Sequence, residues 1–581
     1  MKEKNKLDEK SKNNYKVGLY LILTFFALWY IEPLSNFLLS TYGVVRPMII
    51  GFAIAFVIDL PMSFFQEKVF GKFIDPLKHR NLVLALSLFI TACSSNENSE
   101  AEEKILKVAV SEDTTTLETD TVNDEFAENI LLQVYDTLVK VNPEGEIENS
   151  LAESIENPDP QTFKIKLREG VKFSNGDPLT VDDVIFTLKR AAETEKFKPF
   201  YGKIDKDSYE KEDDLTFSFK LTEPDAAFLN SLSHPAVSIL SKKYVENGAD
   251  LANEPMGTGP FVLDEWVQND HATFSVNDNY WGEKPQIAGI EMKVIPEASQ
   301  RIIELESGGV DVAYKVDPNE ISNVEDNPDL NLFRKLDNSV HFIGFNMEKA
   351  PFDKKEAREA MVNAIDMNSI FETVYMNSGK LATSPINPNF KYSIAEELEA
   401  NKVDKEKAKE LFAAAGVGDG DNLSIYTSDN TQRVNVATMM QAQLKEYGIG
   451  LDVQRLEWGA FVDALKRQEH NMFIMSWNPS IVDAHYELFQ PFHSSNKGQG
   501  PNYMYFGNEE LDNLMKEGLA TVDEAKRAEI YKRAQELINE EYPWLYICYG
   551  ETLVAANNKV EGLKLLPKYA QELKDVTLLE N

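Results

Sequence analysis

The stretch MGTGPFVLDEWVQNDHATFSVNDNYWG, residues 256–282, decides how this chain is read. Gly257 and Gly259 permit backbone angles closed to other residues, and Pro260 fixes φ at the entry to a strand. Phe261, Val262 and Leu263 form one short apolar run; Thr273, Phe274, Ser275 and Val276 form a second. Tyr280, Trp281 and Gly282 close the unit. By physics alone this is a core β-hairpin with a special turn at its start.

Strand and helix signals continue on both sides. Residues 104–110 (KILKVAV) alternate as a strand, a Thr/Leu turn follows at 114–117, and residues 123–139 are expected as a helix. In 159–190, Phe163, Ile165 and Leu167 alternate along a strand, residues 175–178 (NGDP) make a turn, and Thr180 caps a helix with Asp182 and Asp183 in its first turn. Beyond the hairpin come a strand at 291–296, a helix at 299–306 stopped by Gly308 and Gly309, and a strand at 310–313. Strands at 342–346, 423–426 and 449–454 alternate with helices at 355–365, 405–416 and 434–447. That order predicts an α/β fold with a mainly parallel sheet, in which ligands sit where strands end. Residues 472–477 are an apolar strand running into a loop, NPSIVDAHYELFQPFHS, and a late helix at 522–540 precedes a strand at 544–547.

At 581 residues the chain is too long for one core. Its net charge of −36 is uneven: residues 1–80 hold 11 Lys and Arg against 7 Asp and Glu, and the next charge lies beyond residue 92. The remainder is therefore more acidic than the whole, which excludes a nucleic-acid partner. Two cysteines, Cys93 and Cys548, build neither a disulfide framework nor a thiolate zinc site.

Residues 17–31 and 44–60 are nearly all apolar, at the short end for membrane spans, and six lysines precede the first. Residues 43–61 (GVVRPMIIGFAIAFVIDLP) resemble the first hairpin of the autoinducer exporter family of permeases, so residues 1–77 read as a permease-like fragment, fused or mis-joined. Residues 78–93 follow the basic, apolar, small-residue order of a secretory signal. Ile90-Thr91-Ala92-Cys93 resembles a bacterial lipobox, which implies a lipid on Cys93, and 94–103 suits a flexible tether.

From 104 to the end, the ordered motifs resemble the dipeptide/oligopeptide-binding family of ABC-transporter substrate-binding proteins. They include M-G-T-G-P-F with N-x-N-Y-W-G, Y-D-T-L-V at 135–139, the block 159–190, G-V-D-V-A at 309–313, and the Pro-Trp at 543–544. The resemblance implies a two-lobed periplasmic-binding-protein fold of type II with an accessory domain, preceded by N-terminal hydrophobic helices. Lobe one would span 104–345 with the accessory domain at about 145–250, lobe two 346–543, and 544–581 would return to lobe one. It also implies a short peptide ligand, ABC permease subunits as partners, and an extracytoplasmic, membrane-anchored location.

No enzyme motif is present: G-x-S-x-G, H-E-x-x-H and G-x-x-x-x-G-K-[ST] are all missing, and Pro260 spoils Gly257-Thr258-Gly259 as a dinucleotide loop. His485 and His493, near Asp483, fit a metal site less well than they fit solvated loop histidines, so neither metal nor cofactor is expected. A peptide site needs hydrogen bonds for the backbone, partners for charged ends and aromatic pockets. In peptide-binding family members, an Asp three residues after the loop's Trp holds the ligand ammonium. Here Trp477, Asn478 and Pro479 lead to Ser480, with Asp483 three residues on. W-x-x-S-x-x-D-A resembles the glutathione-binding subgroup; general peptide, nickel and heme binders of the family are the alternatives. A lone Asp would repel the carboxylate of a γ-glutamyl group, whereas a Ser hydroxyl can bond either of its charges. Arg433 falls near the family's carboxylate-binding arginine. By resemblance, Thr115, Thr116, Asn346, Tyr426 and Tyr503 lie at the lobe edges.

Overall fold

The computed structural model describes residues 104–121 and 126–580. The hydrophobic segments of 1–77, the signal at 78–93, Cys93, the tether and the start of the 123–139 helix lie outside the described residues. Among the described residues, no helix is long and apolar enough to cross a membrane.

The hairpin forms as its sequence dictates. Phe261–Val267 pairs antiparallel with His271–Val276, which pairs with Gly289–Val294, and that strand runs parallel to Ile105–Val110. The glycines are required by close approach. A Cβ on Gly257 would stand 2.3 Å from the Val134 carbonyl oxygen, and one on Gly259 2.5 Å from the Val134 carbonyl carbon. Asp136 ties this corner together, accepting from the Thr258 hydroxyl and the Trp281 indole N–H, both at 2.9 Å. That geometry ends the preceding helix early. It spans Ala127–Val134, not 123–139, because Tyr135 turns extended and Val139–Val141 is already a strand.

One sheet runs through both halves of the molecule. Its order is Gly450–Leu456, Asn422–Ser428, Met472–Trp477, Leu330–Phe345, Trp544–Asn557, Val312–Tyr314, Ile105–Val110, Gly289–Val294 and then the hairpin. The sheet is mixed rather than mainly parallel. Its two longest strands, Leu330–Phe345 and Trp544–Asn557, pair antiparallel with each other and with their other neighbours. They cross from one half to the other, and their register breaks between Leu336 and Val340. The bulge at 337–339 is anchored by the Asn387 and Asn389 amides, which donate to the carbonyls of Asp337, Ser339 and Leu336.

The hydrophobic cores are separate on either side of that bulge. Leu106, Val108, Phe274, Met292 and Val554 fill one half; Phe342, Phe473, Trp544 and Tyr549 fill the other. Residues between the first strand and the hairpin build a third core around Phe163, Phe217, Phe219 and Phe228. Its own four-stranded antiparallel sheet comprises Ala152–Asp159, Thr162–Leu167, Thr216–Lys220 and Glu210–Lys211. Thr180 and Asp183 form a capping box at the helix Val181–Glu193.

Candidate functional site

The loop after Met472–Trp477 is shorter than its composition suggests. Asp483 caps a helix, Ala484–Phe492, accepting from the His485 N–H at 2.8 Å. Pro491 has no N–H to give the Glu487 carbonyl four residues earlier. The Trp477 indole N–H donates to that carbonyl instead, at 3.1 Å, which fixes the Trp477 ring at the end of its strand.

Trp477, Asn478 and Ser480 line a cavity of about 760 Å³. Its opposite wall comes from the start of the helix Ala127–Val134, from 196–200 and 233–236 of the third unit, and from 566–570 near the chain end. Asn338 of the crossing-strand bulge also lines it. Phe126, Phe197, Phe200, Trp477, Tyr486 and Tyr569 supply aromatic surface. The Tyr569 hydroxyl is fixed by the Ser111 N–H, and its ring edge meets Phe126.

Charge in the cavity is one-sided. Glu128, Lys196 and Lys568 line it, with Lys568 Nζ 2.7 Å from a Glu128 carboxylate oxygen, and the Lys196 ammonium stands over the Phe197 ring. The segment 477–482, together with Tyr486 and Gln490, contributes no ionisable acid or base of ordinary range. His234 sits on the charged wall. Burial pushes its imidazole down to about 4, opposed by Glu128 and reinforced by Lys196 and Lys568. Its Nδ1 accepts from the Ala236 N–H at 3.0 Å, so the neutral ring keeps its proton on Nε2.

The other expected site residues do not line this cavity. Asp483 is buried and forms an ion pair with Arg527, at 2.8 and 3.1 Å. Asn346 is fully buried, its amide donating to the His470 carbonyl. Tyr503 is buried and its carbonyl bonds His470 Nε2, while the Tyr426 ring meets His470 edge-on. Thr115 is exposed, and Thr116 organises its own turn by accepting from the Glu118 N–H. His485 is not a solvated loop residue: it is buried in the helix with its ring stacked on Phe489. Arg433 lies in the first turn of the helix Thr431–Leu444, at the carboxyl ends of two strands, and donates to Ser428 and Ser476 at 3.3 and 3.0 Å. Burial lowers its pKa, and among the described residues it has no carboxylate partner; the Trp458 ring lies 5.9 Å from it.

Sequence reasoning found one wall and missed the other. The aromatics Phe197, Phe200, Tyr486 and Tyr569 and the pair Glu128–Lys568 come from segments far apart in the chain. Only the aromatic-proline clusters at 197–200 and 567–569 hinted at a pocket wall.

A cavity at strand ends, walled by aromatics and charged on one side, is a receptacle for a small polar solute. The chain belongs to the bacterial extracellular solute-binding proteins of family 5, whose middle-region profile matches residues 146–499. It is thus a binding protein and not an enzyme. It is 28% identical over 534 residues to the oligopeptide-binding protein AppA of Bacillus subtilis, covering 84% of this chain and 96% of that one. It is 29% identical over 513 residues to the glutathione-binding protein GsiB of Escherichia coli O1:K1, covering 86% and 99%. The solved structure of the periplasmic binding protein DppA from Helicobacter pylori, in complex with the peptide STSA, superposes with a TM-score of 0.71 at 26% identity, over 82% of this chain and 98% of that one.

Proposed function

We propose that this protein captures glutathione or a similar short peptide outside the cytoplasm and delivers it to the permease of an ABC importer. The observation that carries the reading is the cavity of about 760 Å³, with Trp477, Asn478 and Ser480 facing a wall of Tyr569, Phe126 and Lys568. Peptide and glutathione binding by the relatives AppA and GsiB support the ligand class. Ser480 supports the finer choice. With no carboxylate at that position, an ordinary α-peptide lacks an ammonium anchor in this loop. A hydrogen bond to a charged group contributes about 1.5–3 kcal/mol, or roughly tenfold and more in affinity.

Arg433 is the candidate partner for a ligand carboxylate reaching past the cavity, since Ser428 and Ser476 orient its guanidinium without neutralising it. A lipid on Cys93 would hold the protein at the membrane, and intact mass of membrane-fraction protein tests that separately: an unmodified Cys93 in a continuous chain contradicts it. The ligand test is calorimetric titration of the full chain with reduced glutathione and with trialanine. Wild type is expected to bind glutathione at least tenfold tighter, and Ser480→Asp to shift the ratio toward trialanine. Wild type preferring trialanine, or a ratio unmoved by Ser480→Asp, overturns the glutathione assignment.

A further inference from the structure

Among the described residues, the acids and bases of ordinary range that line the cavity, Glu128, Lys196 and Lys568, lie away from the 477–482 segment in the chain. Two lysines and one glutamate line this wall, beside the neutral His234. Such a wall suits a ligand that carries both a carboxylate and an ammonium, because Lys568 offers a donor and Glu128 an acceptor there. Glu128 and Lys568 stand 2.7 Å apart, with side chains 19% and 28% exposed. The pair is thus partly open to the cavity. Its spacing suits an ammonium and a carboxylate borne on one carbon. Ordinary peptides keep these groups at opposite ends; a γ-linked glutamyl residue keeps them together.

We infer that Glu128 and Lys568 form a zwitterion subsite, Glu128 receiving the α-ammonium and Lys568 the α-carboxylate of a γ-linked amino-acid head. His234 Nε2–H is the neutral donor beside it, with Phe126 and Tyr569 enclosing the head group from the same wall. The Phe126–Tyr569 edge contact and the Ser111–Tyr569 hydrogen bond keep that enclosure in place. This inference rests on the glutathione reading above and goes further, assigning the end of the ligand that lobe one holds. It also accounts for the loop: with the head-group charges matched on this wall, Ser480 has no ammonium to neutralise.

The test separates linkage from charge. The full chain is titrated calorimetrically with reduced glutathione, with the α-linked isomer Glu-Cys-Gly of the same composition and net charge, and with trialanine. Wild type is expected to prefer the γ-linked peptide by tenfold or more. Lys568→Gln and Glu128→Gln should each erase most of that preference, and a cooperative thermal transition near the wild-type midpoint shows that the variants fold. Lys568→Arg should restore the preference. If wild type binds glutathione but both variants leave the γ-to-α ratio unchanged, the subsite is overturned and the glutathione reading stands. The subsite is likewise overturned if the variants weaken all three ligands equally, since the pair then only holds the 566–570 segment. If wild type binds trialanine alone, the glutathione reading fails and takes the subsite with it.

Discussion

Glu487 is fully buried on the helix Ala484–Phe492, and neither carboxylate oxygen has a partner among the described residues. Burial raises its pKa well above the ordinary carboxylate range, so the folded protein holds it protonated where the unfolded chain releases the proton. The native state then binds more protons than the unfolded one, and stability falls as pH rises above about 4.5, by up to about 1.4 kcal/mol per pH unit until the folded pKa is reached. Glu487→Gln should therefore raise the thermal midpoint at pH 8 and change little at pH 4; an equal shift at both would show that ionisation is not involved. Asp483 is the opposite case, a buried carboxylate fully paired. Asp483→Ala strands Arg527 and should cost about 3–5 kcal/mol in chemical denaturation. A loss below 1 kcal/mol would argue against the pair. The motif marked Asp483 in the sequence, but its partner lies 44 residues on in another helix, where neither spacing nor composition could join them.

The helix Ala484–Phe492 shows why elements were only partly legible. Pro491 and the turn-rich residues before Asp483 read as a loop, because the compensating donor, the Trp477 indole, belongs to the preceding strand. The crossing strands Leu330–Phe345 and Trp544–Asn557 were seen only as short apolar pieces. Half of the first is polar or half-buried, and the continuity of both comes from pairing with each other. Short-range signals fared better. The Thr180 capping box and the hairpin at 261–276 need nothing beyond their own residues. The turn at Gly257 is the most demanding of these. Gly257→Ala should drive its Cβ into the Val134 carbonyl and Tyr135 ring and destabilise by about 1–3 kcal/mol, read as a lowered urea midpoint at unchanged slope. A neutral substitution would mean the corner relaxes freely.

At the scale of the molecule, the cavity-lining segment and its neighbours also fasten the third unit to the half that carries Trp477. The Asn230 amide donates to the Val482 carbonyl, the Ala226 N–H to the Leu519 carbonyl at 2.8 Å, and the Tyr486 ring packs on Phe200. Ile481 and Tyr486 share a small apolar cluster with Ala227. A ligand touching both walls would favour this arrangement over a separated one. Small-angle scattering should give a smaller radius of gyration with saturating peptide than without, and Asn230→Ala with Tyr486→Ala should weaken binding about tenfold. An unchanged radius at confirmed saturation would remove closure from the account. The family was legible because ordered motifs run from residue 104 onward; the antiparallel crossing strands that make the sheet mixed were not, nor was the charged wall, because distant segments meet to make each. The most direct measurement is native mass spectrometry of the full chain with reduced glutathione. One added glutathione per protein, displaced poorly by trialanine, is the predicted result; no adduct with glutathione alongside a saturable adduct with trialanine would contradict it.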